Sequence, residues 1–224
     1  DVVVNPTKRA NTLILDRVSG EPVFSYRYRR APVSKIKGEK TSSYQPDLNI
    51  PVPFGKNIFK ESDFWSYDEN FLVKIKKKYK DYNYGFYATH KLGKKNLQYN
   101  QSGGAEWMGA SVNHVNHVMY VTANNIPYET ELEIDDKNSL IPTYTSFHER
   151  ALDKNGFPIS KPPWGTITAM DLNSGSIIWQ IPFGEYEKLS SIGIDVTGTE
   201  NFGGVTGTEG NVLFASGTLE FFVW

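Results

Sequence analysis

The stretch AMDLNSGSIIW, Ala169 to Trp179, sets two apolar runs on either side of the turn triplet Asn173-Ser174-Gly175. Upstream, ILDRVSGEPVF, Ile14 to Phe24, repeats the same punctuation. Asp16 stands where Asp171 does, Ser19 matches Ser174, Gly20 matches Gly175, and Phe24 matches Trp179. Two copies of one hairpin in a single chain point to a repeat architecture. Gly is free to take φ > 0 in such a turn. An aromatic on the returning outer strand can cover a neighbouring unit while an indole N–H finds a backbone carbonyl. Two unrelated hairpins are the plain alternative; the shared Asp-x-x-Ser-Gly spacing favours the repeat.

Composition agrees with a strand-rich globular chain. Over 224 residues, 39% are apolar, 22% charged and 14% aromatic, with 19 Gly and 12 Pro. Aromatic residues suit pleated surfaces, and Gly and Pro punctuate them. A formal charge of -1 gives no global pull towards nucleic acid. The absence of Cys excludes disulfides and thiolate metal sites. No apolar run approaches the roughly 20 residues of a membrane span. The N-terminus, DVVVNPTKRANTLILD, reads as strand material from its first residues, and the chain is expected to be part of something longer.

Outward from the two hairpins, residues 2–4 and 12–15 read as strands, closed by Pro22 to Phe24. Residues 26–100 form a long insertion with little periodicity, of which part must fold locally; a short helix is expected near Glu69 to Lys78. Residues 101–184 read as one complete unit. One hairpin runs over Trp107–Val112 and Val118–Ala123, a polar insertion follows at 128–160, and a second hairpin runs over 164–171 and 176–183. Residues 185–224 begin the next unit, with strands around Phe202–Thr206 and Asn211–Ser216, and break off at FFVW. Four-stranded meanders in series are the blades of a β-propeller. The expectation is therefore an all-β partial propeller of about two antiparallel blades with long loop insertions, the end of one blade lying at 1–25.

The spacing Ala-x-Asp-x-x-x-Gly-x-x-x-Trp resembles the tryptophan-docking motif of quinoprotein dehydrogenases. Further stretches resemble the membrane-bound glucose, polyol and quinate branch in the same order: KRANTLILDRVSGEPVF (8–24), GGAEWMGASV (103–112), VMYVTANNIP (118–127), KPPWGTITAMDLNSG (161–175) and TGTENFGG (197–204). The resemblance runs over nearly the whole chain and is weakest in 55–98, 128–160 and the last residues. It implies the C-terminal part of an eight-bladed propeller that holds pyrroloquinoline quinone (PQQ) on its axis with a calcium ion. It also implies a sugar or alcohol substrate, hydride transfer to PQQ, a membrane quinone as electron acceptor, and a periplasmic, membrane-associated parent. Cation stabilisation of the oxygen that gains negative charge is the physical logic of such a site.

By position, the resemblance makes Lys8 the basic residue that hydrogen-bonds the quinone oxygens; without it, Lys8 is a solvated lysine at a strand start. Glu106 and Trp107 match a blade start that approaches the quinone. Thr122 stands where relatives carry a cofactor-contacting Asn, and Asn124, two residues on, is placed to supply the amide. Phe202, Gly203 and Gly204 match a channel-lining turn where many relatives carry Trp. Packing alone also accounts for Trp107 and Phe202. The general base, the stacking Trp and the calcium ligands are expected upstream of Asp1, leaving no catalytic residue and no metal ligand here, so the fragment alone is expected to be inactive. Its exposed propeller edge should promote self-association.

Other signals are weaker. His114 and His117 flank a turn without a third ligand. The Lys-aromatic run at 74–87 has the composition of a single-strand-binding surface but also of a solvated insertion, which the global charge favours. GGVTGTEG lacks the Lys-Ser/Thr ending of a phosphate loop, and Glu131–Asp136 lacks the Gly and terminal Glu of a calcium loop. The competing functional class is a non-enzymatic propeller for protein interaction that shares the hairpin motif and binds no cofactor.

Overall fold

The computed structural model describes residues 1–105, 107–135, 143–210 and 212–218. Expectations that rest on Glu106, Asp136, Asn211 and the terminal FFVW therefore lie outside the described residues.

Among the described residues the architecture is all-β apart from two α-helices and a 3-10 turn at Glu61–Asp63. In chain order the elements are β1 (Val2–Pro6), β2 (Thr12–Asp16), β3 (Arg27–Arg30), β4 (Tyr44–Asp47), α1 (Glu69–Tyr79), β5 (Asn96–Tyr99) and β6 (Ala110–Asn113). They continue with β7 (Val118–Asn124), β8 (Pro127–Ile134), β9 (Tyr144–Arg150), β10 (Gly165–Asp171), β11 (Ile177–Pro182), α2 (Glu187–Ser190), β12 (Val205–Gly207) and β13 (Leu213–Ala215). The central sheet has the order β11-β10-β7-β6, all antiparallel. That is a four-stranded meander with residues 125–164 inserted at its middle connection. Among the described residues no barrel closes and the other sheets have two or three strands, as befits part of a propeller.

The two matching turns fold alike. Asp16 Oδ1 accepts from the backbone N–H of Val18 and Ser19 and from the Ser19 hydroxyl. Asp171 accepts from the Asn173 N–H and the Ser174 hydroxyl. Each Gly N–H returns to its Asp carbonyl, Gly20 to Asp16 at 2.9 Å and Gly175 to Asp171 at 2.8 Å. Both glycines are left-handed, at φ 76° and 72°. The Asp side chain thus imitates a backbone turn and the Gly closes it, a purely local code. A third turn uses the same geometry with other residues. Asn113 Oδ1 accepts from the N–H of Val115 and Asn116, and His117 takes the left-handed position at φ 54°.

These contacts favour the ionised carboxylates, so Asp16 is held below its ordinary pKa chiefly by hydrogen bonds from Ser19, and Asp171 by the Ser174 hydroxyl. A depressed folded-state pKa gives stability that is present above the unfolded value of about 3.9 and lost as pH falls through the lower folded value. Asp171→Asn, which keeps an accepting oxygen as Asn113 does, should therefore flatten the acid limb of a melting-temperature profile while leaving the neutral melting temperature near wild type. An unchanged acid limb would contradict this.

The long insertion wedges itself between the first hairpin and the blade. The Phe54 N–H donates to the Ala10 carbonyl at 2.9 Å, the Val52 N–H to the Gly175 carbonyl at 2.8 Å, and the Gln180 amide to the Phe54 carbonyl at 2.8 Å. Phe54 is fully buried with Ala10, Met119, Val121, Ala123 and Met170, which stabilises by about 1.5–3 kcal/mol. Gly175 serves twice here, since a Cβ on it would also lie 2.9 Å from Pro51 Cα.

Helix α1 occupies the stretch where a short helix is expected. Asp68 caps it by accepting from the N–H of Asn70 and Phe71, and Lys76, Lys77 and Lys78 lie in its last turn, where cations are favoured. Ile75 and Tyr79, one turn apart, bury against Phe64, Leu97 and Ile159. The polar stretch 128–160 carries β8 and β9, which join β5 in a three-stranded sheet. Its buried Glu129 accepts from Lys78 at 2.7 Å, Tyr82 at 2.9 Å and Tyr79. Burial pushes the Glu129 pKa up, and these donors more than offset it, so the net shift is downward. The sequence hid this sheet because charged Glu129 sits buried on β8 beside the apolar Leu97 and Tyr99 of β5, and its partners Lys78, Tyr79 and Tyr82 lie about 50 residues away.

Candidate functional site

Lys8 sits at the tip of the β1–β2 hairpin rather than at a strand start. The turn is held by Thr7 N–H to the Asn11 carbonyl (2.8 Å) and Ala10 N–H to the Thr7 carbonyl (3.0 Å). The Lys8 carbonyl accepts from the Gly104 N–H at 2.7 Å, and the Gly104 carbonyl from the Asn124 N–H at 3.0 Å. A Cβ at residue 104 would lie 2.6 Å from Ala10 Cβ, so only Gly lets the hairpin tip, the 103–109 loop and the end of β7 approach this closely.

The same line of contacts continues to the turn before β12. Thr122 donates to the Gly203 carbonyl at 3.1 Å. Asn124 donates to the Asn201 carbonyl at 2.8 Å and accepts from the Asn201 N–H at 2.8 Å. The side chains of Thr122 and Asn124 leave one face of β7, two residues apart, and both are buried. Both hold the 201–203 turn. Gly203 and Gly204 are fitted into that turn, since a Cβ would meet Ser216 O at 1.8 Å and Met108 Cβ at 2.8 Å respectively.

Three side chains above this buried layer are open. Trp107 is 93% exposed, Met108 70% and Phe202 47%. A hollow of about 490 Å³ lies between Lys8, Trp107 and the start of the blade, lined also by Asn5, Ala105, Gly109 and Met119. Among the described residues Lys8 has no ion-pair partner. Glu106 lies outside them. The structure thus brings Lys8 and Trp107 to one hollow and places Thr122, Asn124, Gly203 and Gly204 in the layer that supports its edge. Among the described residues no group of three or more His, Asp or Glu side chains is placed to hold a metal ion.

Sequence reasoning missed a buried polar chain beneath this layer. Glu200, 1% exposed, accepts from Arg150 Nε at 2.6 Å and from the Tyr128 hydroxyl at 2.9 Å; Tyr128 in turn accepts from Ser102 at 2.7 Å. It ties the residue before Asn201 to the residue before Gly103. The acid was visible inside TGTENFGG, but its partner Arg150 is 50 residues away, and no local signal marks that pairing.

Comparison with known proteins decides the class. All of residues 1–224 match the family described as glucose/ethanol/alcohol dehydrogenase PQQ β-propeller domain. The chain belongs to this family. Among its relatives is a protein named "Probable quinate dehydrogenase (quinone)" from Xanthomonas campestris pv. juglandis, 27% identical over 99% of this chain and 31% of that protein. The glycerol dehydrogenase large subunit of Gluconobacter oxydans (strain 621H) is 26% identical over 97% of this chain and 34% of its own length. Quinoprotein glucose dehydrogenase A of Acinetobacter calcoaceticus is 25% identical over 96% and 30%. This PQQ-propeller chain spans about a third of the length of these relatives.

The hollow suits the family's cofactor. PQQ is a planar tricarboxylate with an ortho-quinone, and the hollow offers an ammonium, without an ion-pair partner among the described residues, beside an exposed indole, a charge-assisted donor and a flat apolar surface.

Proposed function

We propose that this chain supplies part of the cofactor site of a PQQ-dependent dehydrogenase that oxidises a sugar or alcohol and passes electrons to a membrane quinone. The observation that carries the proposal is the placing of Lys8, which has no ion-pair partner among the described residues, and open Trp107 on one hollow within a chain of this family. When bound, PQQ would supply a quinone carbonyl as hydride acceptor. Lys8 holds positive charge at that hollow, where it would stabilise oxygen that gains negative charge. Trp107 would cover a ring face. Thr122 and Asn124 position the 201–204 turn, and Phe202 closes its outer edge. A calcium ion, its ligands and the proton-abstracting carboxylate are assigned to residues outside these 224, and the chain by itself is proposed to be inactive. The parent is placed in the periplasm on the membrane; among the described residues no helix is long and apolar enough to cross one.

Trp179 fits the proposed docking role on geometry, since it lies on the outermost strand of the four-stranded sheet, 38% exposed, with Tyr120 at 6.0 Å. The remaining blades of the parent are its proposed cover.

Lys8→Ala should weaken PQQ binding to the intact protein by about tenfold or more, because one charge-assisted hydrogen-bond donor is lost. Equilibrium titration followed by quenching of tryptophan emission reads the change directly. Wild-type affinity in the variant would remove Lys8 from the site, and absence of PQQ binding by the unmutated protein would favour the interaction-module reading.

A further inference from the structure

A groove of about 940 Å³ lies away from the Lys8 hollow, among the 32–37 segment, residues 89–92 and the β8–β9 hairpin. Its floor and walls are Pro32, Ile36, Leu92 and Ile134, and its rim is Lys35, Lys37 and Lys91. The Tyr144 hydroxyl donates to the Lys37 carbonyl at 2.9 Å and joins the hairpin to the rim.

The two rim segments, PVSKIKGEK (32–40) and HKLGKK (90–95), carry six lysines against one acid, Glu39, in a chain whose formal net charge is -1. Glu39 accepts from the Ser34 hydroxyl. Among the described residues only Lys95 of the six is ion-paired, to Glu129 and Glu131. Beside the free lysines stand apolar tips, Val33 52% exposed and Leu92 43% exposed. A soluble polyanion would neutralise the lysines and leave Val33 and Leu92 in water. The interface of an anionic bilayer covers both, with phosphates at the ammonium groups and the apolar tips at the acyl boundary.

We propose that this lysine-rimmed groove is a docking site for anionic phospholipid at a bilayer surface. Headgroup phosphate lies between Lys35, Lys37 and Lys91, and the upper acyl segments lie over Ile36, Leu92 and Ile134. The proposal is independent of the cofactor reading.

The chain has no Cys, so an environment-sensitive fluorophore on Leu92→Cys, placed in the intact protein with any cysteines elsewhere replaced, reports the groove alone even if another segment anchors the protein. Vesicles of phosphatidylcholine containing phosphatidylglycerol should shift its emission to the blue. Phosphatidylcholine vesicles alone should not, and high salt should reverse the shift. The triple variant Lys35→Gln, Lys37→Gln, Lys91→Gln should need about 100-fold more anionic lipid for the same shift, three lost lysines each acting near the surface. A label on Val18→Cys, 88% exposed in the Asp16–Gly20 turn, should stay unshifted in both proteins. An equal shift with neutral vesicles, no shift with anionic ones, or retention of the full response in the triple variant would overturn the proposal. So would the same blue shift from inorganic phosphate alone, which would make the rim a simple anion site.

Discussion

Glu200→Ala should lower the free energy of unfolding by about 3 kcal/mol, because removing one partner of a buried ion pair strands the other. The Glu200 side chain is 2% exposed and Arg150 45% exposed, so the guanidinium can recover part of its hydration and the low end of the usual range applies. The Tyr128 hydroxyl, already buried and pushed to a higher pKa by that burial, would lose its acceptor as well. The consequence should reach the Lys8 hollow, since Glu200 precedes Asn201 and Tyr128 holds Ser102. Denaturant titration of the intact protein checks the stability change, with PQQ affinity measured on the folded variant. A loss under about 1 kcal/mol would show that the pair stands open to water. Glu200→Gln, which keeps an acceptor oxygen, should recover part of the loss.

Gly165→Ala should cost at least about 3 kcal/mol, at the upper end of what overpacking does. Gly165 opens β10, and a Cβ there would lie 1.8 Å from the Thr199 carbonyl oxygen and 2.8 Å from the Phe183 carbonyl oxygen. Both obstacles are backbone atoms. They are fixed by hydrogen bonds, Phe183 N–H to Gly165 O at 2.9 Å and Thr199 N–H to Phe183 O at 2.8 Å. No flexible side chain is available to move aside. Gly20→Ala supplies the contrast. At φ 76° with nothing within 4 Å, it pays only for the left-handed backbone, about 1 kcal/mol. Equal melting shifts in the two variants would show that the packing at 165 relaxes freely and that close approach does not require Gly there.

Both substitutions act on the 197–204 segment, where Thr197, Thr199, Glu200 and Asn201 are all essentially buried despite their polarity. Its composition reads as a loop, and it connects α2 to β12 as a loop does. Fixed by Glu200–Arg150 and Asn201–Asn124, it is instead one of the best-anchored segments next to the candidate site. Its Glu200 and Asn201 find partners on β7, β8 and β9, while Thr199 Oγ1 and Asn201 Oδ1 are buried without a hydrogen-bond partner among the described residues.

What the sequence determined by itself was the local code. The Asp-x-x-Ser-Gly turns are readable because every hydrogen bond that makes them joins residues no more than five apart, and helix α1 is readable because its cap and its Ile75–Tyr79 stripe are equally local. The meander of β6, β7, β10 and β11 followed from those turns and from apolar runs of strand length. The tertiary structure alone decided the rest. It put Lys8 at a hairpin tip against Gly104, buried Thr122 and Asn124 against the 201–203 turn, left Trp107 open, and built a sheet from β5, β8 and β9 around Glu129. Each of these depends on contacts between residues tens of positions apart. Whether a polar side chain is a surface group or a buried partner is set by what the fold brings to it.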